Sequence, residues 1–217
     1  MKTERAMTDR KGRDFIARHG ETVFNAAGRL QGEASHTPLT RNGFAQADEM
    51  GEALRHALGN RPKLTLWASP TGRALQTLAV IAEHVGLDWH AAKTDKRLTE
   101  IGMGSWGGRY YADVIAEAGD VIDRPSGLLL SAPDGELYHE IAERVSGWLA
   151  DTADDHSDRL VIMHGISSRV MRGVMTGAPP AERFGAPAAG HLPQGSLVMI
   201  ERGVETIVHL GGGGEVA

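Results

Sequence analysis

The sequence predicts an α/β domain, and two observations lead to that fold class. Short apolar runs alternate with segments of helical periodicity along most of the chain. The composition, 41% hydrophobic and 24% charged, is that of a globular chain, and 217 residues suffice for one good core. Length alone permits one or two domains, and no apolar run is long enough to cross a bilayer.

Three apolar runs predict strands. They cover residues 14–18 (DFIAR), 63–68 (KLTLWA) and 159–164 (RLVIMH). Near the end of the chain, the segment SLVMIERGVETIVHL predicts a hairpin that turns at Arg202-Gly203.

Helical patterns follow the predicted strands. Apolar residues recur at helical spacing from Thr40 to about Leu58, and Thr40 is a suitable N-cap. The next helix follows the second strand, with Ser69 as its cap, Pro70 in its first turn and Gly86 at its end. The remaining helices are predicted over residues 135–150 and 165–176.

Three segments lack a regular pattern. Residues 101–133 contain glycines, two tyrosines and scattered prolines, which predicts an insertion over the sheet that acts as a lid or binding loop, with a disordered excursion as the alternative. Residues 1–13 are charged throughout and have no apolar core of a secretory signal, so a flexible leader and a cytoplasmic location are expected. The glycine-rich residues 211–217 predict a flexible tail.

Charge and cysteine content exclude several classes of function. The net charge of -5 and pI near 6.0 provide no basic surface for nucleic acid or an anionic membrane. An anion must therefore be bound by a local cluster of cations. The absence of cysteine excludes disulfides, thiolate metal sites and a cysteine nucleophile.

Charged and imidazole side chains follow each of the three predicted strands. The first strand ends in Arg18-His19-Gly20, the second is followed by Arg73 in a helix, and the third ends at His164. Ligands of open α/β sheets bind at the carboxyl ends of the strands, so these groups are expected at one edge. Each has a purely structural explanation when taken singly. Together, two guanidiniums at one edge indicate a phosphate, whose oxygens match the arginine fork.

Two rival sites are disfavoured by the same residues. A metal site would need paired histidines at ligand spacing or a set of carboxylates, and the sequence has no H-E-x-x-H motif. A nucleotide site would need a P-loop or a G-x-G-x-x-G turn after the first strand, and neither is present.

Five sequence blocks carry a resemblance to a known family. ARHGETVFN resembles the R-H-G-x-T-x-x-N signature of the histidine phosphatase superfamily, also called the phosphoglycerate mutase-like family. Four more blocks follow in the family's order between about residues 14 and 200: RLQGEASHTPLTRNGFAQA, ASPTGRALQT, LTEIGMGSWGG and VIMHGISSRVM. The resemblance implies a single three-layer α/β domain over residues 14–210, with a largely parallel central sheet flanked by helices, and neither a metal nor a cofactor.

The resemblance also implies roles for individual residues. His19 would be the nucleophile that becomes phosphohistidine, and Glu100 would donate a proton to the leaving group. The phosphate pocket and substrate-binding set would comprise Arg18, Asn25, Arg73, His164 and Gly165.

The chemistry of these groups is consistent with phosphoryl transfer. A nucleophilic histidine must be neutral, with one ring nitrogen held as a donor, and we expect the Gly20 carbonyl to hold Nδ1 of His19. Arg18 and Arg73 would stabilise charge on the transferring group, with protonated His164 as a third cation. Glu100 would first act as an acid and then, when ionised, activate water.

The sequence favours hydrolysis over two alternatives. Phosphoglycerate mutases of this family have E-R-H-Y-G around the acid, whereas this chain has Glu100-Ile101-Gly102-Met103-Gly104 and no basic residue until Arg109. A mutase is therefore the second choice, and a non-catalytic phosphate-binding module is less favoured because His19 and Glu100 are both retained.

The expected partner is a small phosphorylated substrate, and the sequence does not specify which one. Side chains of the irregular segment that could line its pocket are Trp106, Arg109, Tyr110, Tyr111 and Arg124. The terminal hairpin could present an edge strand for a homodimer.

Overall fold

A six-stranded sheet forms the centre of the structure, a computed structural model that describes residues 10–212. The strand order is β10-β9-β1-β6-β2-β3, in which β1, β6, β2 and β3 are parallel and β9 and β10 are antiparallel to their neighbours. The strands of the sheet are β1 (Asp14–Arg18), β2 (Leu64–Ala68), β3 (Lys93–Thr94), β6 (Asp158–Met163), β9 (Leu197–Glu201) and β10 (Val204–His209). Two small hairpins lie outside it: β4 (Ile122–Asp123) with β5 (Leu128–Leu129), and β7 (Pro180–Ala181) with β8 (Ala186–Pro187).

Helices cover both faces of the sheet and give it three layers. They are α1 (Val23–Ala26), α2 (Arg41–Leu58), α3 (Gly72–Val85), α4 (Tyr111–Ala118), α5 (Tyr138–Asp151) and α6 (Gly165–Thr176). Alternate residues of β1 point to opposite faces. Phe15 and Ala17 pack with the buried residues of α2 and α3, whereas Ile16 packs with those of α5 and α6. The predicted fold class, a largely parallel sheet between helical layers, is confirmed.

Several local signals act as predicted. Thr40 caps α2, because its hydroxyl accepts a hydrogen bond from the Gly43 N–H at 3.0 Å. Gly86 ends α3 in the left-handed conformation, with φ of 66°. The β9–β10 hairpin turns at Arg202 and Gly203, both with positive φ, which matches the twist of the strands.

The start of α3 differs from the prediction. Its N-cap is Thr71 rather than Ser69, and the helix begins at Gly72. The Ser69 N–H donates to the Ile162 carbonyl at 3.0 Å, which extends the pairing of β2 with β6 by one residue. The backbone therefore remains extended where the sequence suggests a cap.

The segment 101–133 is more ordered than its sequence indicates. It forms a 3₁₀ turn at Gly104–Trp106, the helix α4 and the β4–β5 hairpin. Its side chains Trp106, Val114 and Leu128 are buried in the core on the α5/α6 face of the sheet. The segment is thus a packed part of the domain, and the alternative of a disordered excursion is wrong.

The predicted leader and tail lie mostly outside the described residues. Residues 10–13, the part of the predicted leader that the structure describes, are packed against the domain rather than flexible. Arg10 is buried there, and its guanidinium donates to Asp14 at 3.0 Å. Gly211 at the start of the tail is also buried, and its N–H donates to the Ser196 hydroxyl at 3.0 Å. Among residues 10–212, no helix combines the length and apolar character needed to span a bilayer.

Candidate active site

The ends of β1, β2 and β6 meet at one edge of the sheet, as the strand-end argument predicts. Arg18 lies opposite Met163, and Ala68 lies opposite Ile162 in the parallel register. The residues that follow these strands are therefore neighbours. The rings of His19 and His164 approach edge to face, with 5.1 Å between their centroids.

His19 is buried and its ring is oriented by the backbone. The residue is only 3% exposed, and Nδ1 of its ring is 2.7 Å from the carbonyl oxygen of Gly20. Since a carbonyl can only accept, Nδ1 carries the proton and Nε2 presents its lone pair. Burial lowers the pKa of His19 well below 6.5, and the charge of Arg73 acts in the same direction. The ring is therefore neutral and able to act as a nucleophile.

Gly20 is required by close packing rather than by an unusual bend. A Cβ at this position would lie 2.2 Å from the carbonyl oxygen of Gly43, at the start of α2. The Gly20 N–H donates to the Thr77 hydroxyl of α3 at 3.2 Å. The loop after β1 is thus held between two helices, which fixes the carbonyl that orients His19.

His164 is neutral in this structure, which corrects the expectation of a third cation. Its Nδ1 accepts a hydrogen bond from Nε of Arg73 at 3.1 Å, so the ring proton lies on Nε2. Burial lowers the pKa of His164 well below 6.5, and the adjacent Arg73 lowers it further. Nε2 is buried and makes no hydrogen bond with the described residues. It is a neutral donor that faces no protein acceptor.

Arg73 is fully buried and held by the backbone of the loop at residues 32–37. Its terminal nitrogens donate to the carbonyls of Gly32 and Ala34, each at 2.6 Å, and to the Thr37 hydroxyl at 3.0 Å. Burial lowers the pKa of Arg73 to about 10, whereas the nearby Glu100 acts in the opposite direction. The guanidinium therefore remains charged at neutral pH.

Arg18 is anchored at one end only. Its Nη1 donates to the Leu192 carbonyl at 2.7 Å, whereas its buried Nε has no hydrogen-bond partner among the described residues. The guanidinium lies against Gly165, where an added Cβ would be 3.3 Å from Nη2. Burial lowers the pKa of Arg18, and Glu100 opposes that shift.

Glu100 links the loop after β3 to the start of α6. Its carboxylate accepts hydrogen bonds from the N–H groups of Ile166 at 3.0 Å and Ser167 at 2.9 Å. These are first-turn donors of a helix, a position that favours an anionic group. The carboxyl group is thereby placed beside Gly165 and His164, next to the candidate nucleophile.

A pocket of about 130 Å³ opens onto this edge. Among the predicted site residues, Arg18, His19, Asn25, Glu100 and Gly165 line it. Arg73 and His164 do not; they are fully buried beside the lining residues. The Asn25 amide oxygen accepts from Thr22, which leaves the amide nitrogen as the end that can donate to a ligand.

Of the five pocket candidates in the irregular segment, Tyr111 lines the pocket, and burial raises its pKa to about 12. Trp106 is in the core, Arg109 pairs with Glu117 on the surface, and Arg124 pairs with Asp120. Tyr110 is exposed and stacks on Arg29.

Sequence reasoning missed several lining residues. They include Arg29, Gln31, Met103, Arg169 and His191. Most lie within the blocks that carry the family resemblance, so their position in a motif was the available signal. Within the described residues, no group of three or more His, Asp or Glu side chains is arranged to hold a metal ion.

Similar proteins have this fold and carry phosphatase and mutase names. The protein named "Probable phosphoglycerate mutase GpmB" in Klebsiella pneumoniae is 35% identical over 178 residues, with 78% of this chain and 77% of the relative covered. The protein of that name in Proteus mirabilis is 33% identical over 177 residues, with the same shares covered.

Solved structures agree on the fold. The alpha-ribazole phosphatase from Shigella flexneri superimposes with a TM-score of 0.69 at 22% identity, covering 91% of this chain and 95% of that one. A mycobacterial glucosyl-3-phosphoglycerate phosphatase superimposes with a TM-score of 0.72 at 22% identity, covering 94% and 100%.

The family itself is shown by the sequence. Residues 15–209 match the family described as the histidine phosphatase superfamily (branch 1), which confirms the resemblance inferred from the five blocks. The chain therefore belongs to the histidine phosphatase superfamily, whose enzymes include phosphatases and mutases and in general act through a phosphohistidine.

Proposed function

We propose that this chain is a phosphomonoesterase that hydrolyses a small phosphorylated substrate through a phosphohistidine on His19. The observation that carries the proposal is a pair of buried donors beside His19. Nε of Arg18 and Nε2 of His164 make no hydrogen bond with the described residues. Buried polar groups are normally satisfied, so both donors are suited to an anion that enters the pocket.

The charge of the site supports a phosphate as that anion. Arg18 and Arg73 flank His19 and form no ion pair with a carboxylate among the described residues. A phosphomonoester carries up to two negative charges, which these guanidiniums balance, and its oxygens suit arginine geometry. The Asn25 amide and the neutral His164 N–H add hydrogen bonds without adding charge.

Two steps complete the proposed reaction. Nε2 of His19 attacks phosphorus, the P–O bond to the alcohol breaks, and Glu100, which must be in its protonated form for this step, gives its proton to the departing oxygen. Glu100, now ionised, takes a proton from water while the water oxygen attacks phosphorus, and the P–N bond breaks to release inorganic phosphate. His19 returns to its neutral form, so the cycle closes without a metal, and phosphate release should persist in EDTA.

A mutase remains the second candidate, and particular observations bear on both. The residues after Glu100 support hydrolysis, because Ile101 is buried in the core and Arg109 pairs with Glu117 outside the pocket. The relatives named phosphoglycerate mutase, together with Arg29 in the lining, favour the mutase.

The proposed function is tested by phosphate release from a panel of phosphorylated metabolites. We expect His19→Ala to abolish turnover and Glu100→Gln to lower kcat by about 10²–10⁴-fold, as for loss of a general acid. His139→Ala, which alters an exposed histidine of α5, is the matched control and should retain full activity. Acid quenching should trap phosphate on His19 in the wild-type protein.

The outcomes separate the candidates. Substantial hydrolysis by His19→Ala would overturn the nucleophile assignment. Isomerisation of a phosphoglycerate without net phosphate release would identify a mutase. Binding of phosphorylated compounds without any turnover or trapped phosphohistidine would indicate a non-catalytic module.

A further inference from the structure

The pocket contains more positive charge than a single phosphate group requires. Three arginines, Arg18, Arg29 and Arg169, line it together with a single carboxylate, that of Glu100. Arg73 lies buried beside them and adds a fourth guanidinium to the site. The whole protein has a net charge of -5, so this local excess is opposite in sign to the charge of the chain as a whole.

The guanidinium of Arg169 uses its hydrogen bonds to hold the wall of the pocket. Its three guanidinium nitrogens donate to the carbonyls of Ala189, Gly127 and Ser126 at 2.9, 2.7 and 2.9 Å. These bonds join α6 to two separate loops. Its charge therefore serves chiefly to fix the backbone around the pocket.

Arg29 is held differently, by a hydrogen bond from one nitrogen and by contacts with two aromatic rings. Nε donates to the Gly108 carbonyl at 2.6 Å. The guanidinium carbon lies 4.9 Å from the ring centre of Phe24 and 4.9 Å from that of Tyr110. The two terminal nitrogens form no hydrogen bond or ion pair with any residue of the range 10–212.

This arrangement pre-orients an arginine fork. Stacking and the Nε bond restrict the side chain, so little conformational entropy is lost when the terminal nitrogens bind a ligand. An arginine edge with two parallel N–H groups matches a carboxylate or a phosphate in bidentate geometry. Arg29 lines the same pocket as His19 and Glu100, so one small ligand can contact both regions.

We propose that Arg29 forms a second anion subsite, which binds a carboxylate or phosphate group at the end of the substrate away from the transferred phosphoryl group. The inference rests on the proposed function for the identity of the transferred group. It narrows the substrate class to small phosphomonoesters that carry a second anionic group.

Binding of phosphonates tests the subsite without requiring catalysis, because their C–P bond resists hydrolysis. Dissociation constants are measured by calorimetry for a short homologous series of alkylphosphonates, carboxyalkylphosphonates and alkylene bisphosphonates. The readout is the ratio of affinities between a ligand with a second anionic group and the alkylphosphonate of equal length. The carboxylate and bisphosphonate arms show which anion the subsite prefers.

The decisive variant is Arg29→Met, and Arg109→Met is its matched control. Arg109 is a cation of the neighbouring segment that pairs with Glu117 outside the pocket. We expect Arg29→Met to lower the affinity ratio by at least about tenfold at the best-fitting length, the level of a charge-assisted hydrogen bond. Arg109→Met should leave the ratio unchanged.

A purely structural role for Arg29 predicts a different result. Loss of the bond to Gly108 would weaken all phosphonates equally and leave the ratio at its wild-type value. An unchanged ratio in Arg29→Met, or no preference for a second anion in the wild-type protein, overturns the subsite. Failure of the proposed function is distinguishable, because it appears as absent phosphate release while the phosphonate ratio is still measured.

Discussion

The arginines at the two ends of β1 differ in whether a carboxylate pairs with them. At its first residue, Asp14, the carboxylate pairs with the guanidiniums of Arg10 and Arg159, both of which are buried. Arg159 also stacks on Trp148, with 4.4 Å between the guanidinium carbon and the ring centre. At the last residue, Arg18, no carboxylate of the described chain pairs with the guanidinium, and its Nε has no partner.

The difference separates the edge whose charges are satisfied within the fold from the edge at which we propose that a ligand binds. A buried charge is tolerated when it is paired and hydrogen-bonded, and it is costly when it is not. The Asp14 edge satisfies its charges within the fold. The Arg18 edge leaves donors unsatisfied, and the single nearby carboxylate of the described residues, Glu100, cannot balance both Arg18 and Arg73. Pairing with a carboxylate therefore distinguishes the two arginine clusters.

The largest expected effect is at the paired edge. Asp14→Asn removes the charge shared by Arg10 and Arg159, and we expect the free energy of unfolding to fall by about 3–5 kcal/mol, as for a broken buried ion pair. Urea unfolding provides the measurement. Asp154→Asn, at an exposed aspartate, should change it by less than about 0.5 kcal/mol. Equal effects of the two substitutions would contradict the view that the ion pairs of Asp14 stabilise the fold.

The unpaired edge should respond in activity rather than in stability. Arg18→Met removes a half-buried charge with which no carboxylate of residues 10–212 forms an ion pair, so the free energy of unfolding should stay within about 1 kcal/mol of wild type as the lost bond to Leu192 is offset. We expect kcat/KM to fall by about 10²–10³-fold, the effect of losing one transition-state donor. Arg41→Met, at an exposed arginine, is the control. A stability loss as large as that of Asp14→Asn would contradict this view.

The smallest expected effect, taken for one histidine over one pH unit, is on the pH dependence of stability. His19 and His164 have lowered pKa values because both are buried, so the unfolded chain binds more protons than the folded one below about pH 6.5. Stability should therefore decrease as the pH falls from 6.5 toward the lowered values, by about 1.4 kcal/mol per pH unit for each histidine.

The histidine contribution is measured as a difference between variants in phosphate-free buffer. The slope of unfolding free energy against pH below 6.5 should be shallower in His164→Asn than in the wild-type protein. His139→Asn, at an exposed histidine, should retain the wild-type slope. If His164→Asn also retains it, the pKa of His164 is not lowered in the folded state, and the assignment of a neutral ring below pH 6.5 is wrong.

Much of the fold was predictable because its signals are local. The strand at Asp14–Arg18, the cap at Thr40 and the turn at Arg202-Gly203 each depend on a few consecutive residues. The helix α4 was missed because it is only 8 residues long and glycines lie on both sides of it in the segment. Its stability comes from burial of Val114 in the core, which is a tertiary effect.

The site was predictable in its members but not in their state. Parallel pairing of three strands placed Arg18, His19, Arg73 and His164 together, as the strand ends indicated. That His164 is neutral follows from the Arg73 bond, which joins residues far apart in the sequence. The clamp on Arg29 depends on contacts with Gly108 and Tyr110, about which the local sequence carries no information.

The sequence by itself determined the family, the main strands and helices of the domain in chain order, and the residue types available for phosphoryl transfer. Short-range patterns and motif spacing are properties of the chain alone, so they can be identified from the sequence without a structure. Only the tertiary structure decided which cations are paired, which donors are left for a ligand and which pocket residues accompany them. Those features depend on distances between remote segments and on burial, and both arise only when the sheet and its helices pack together.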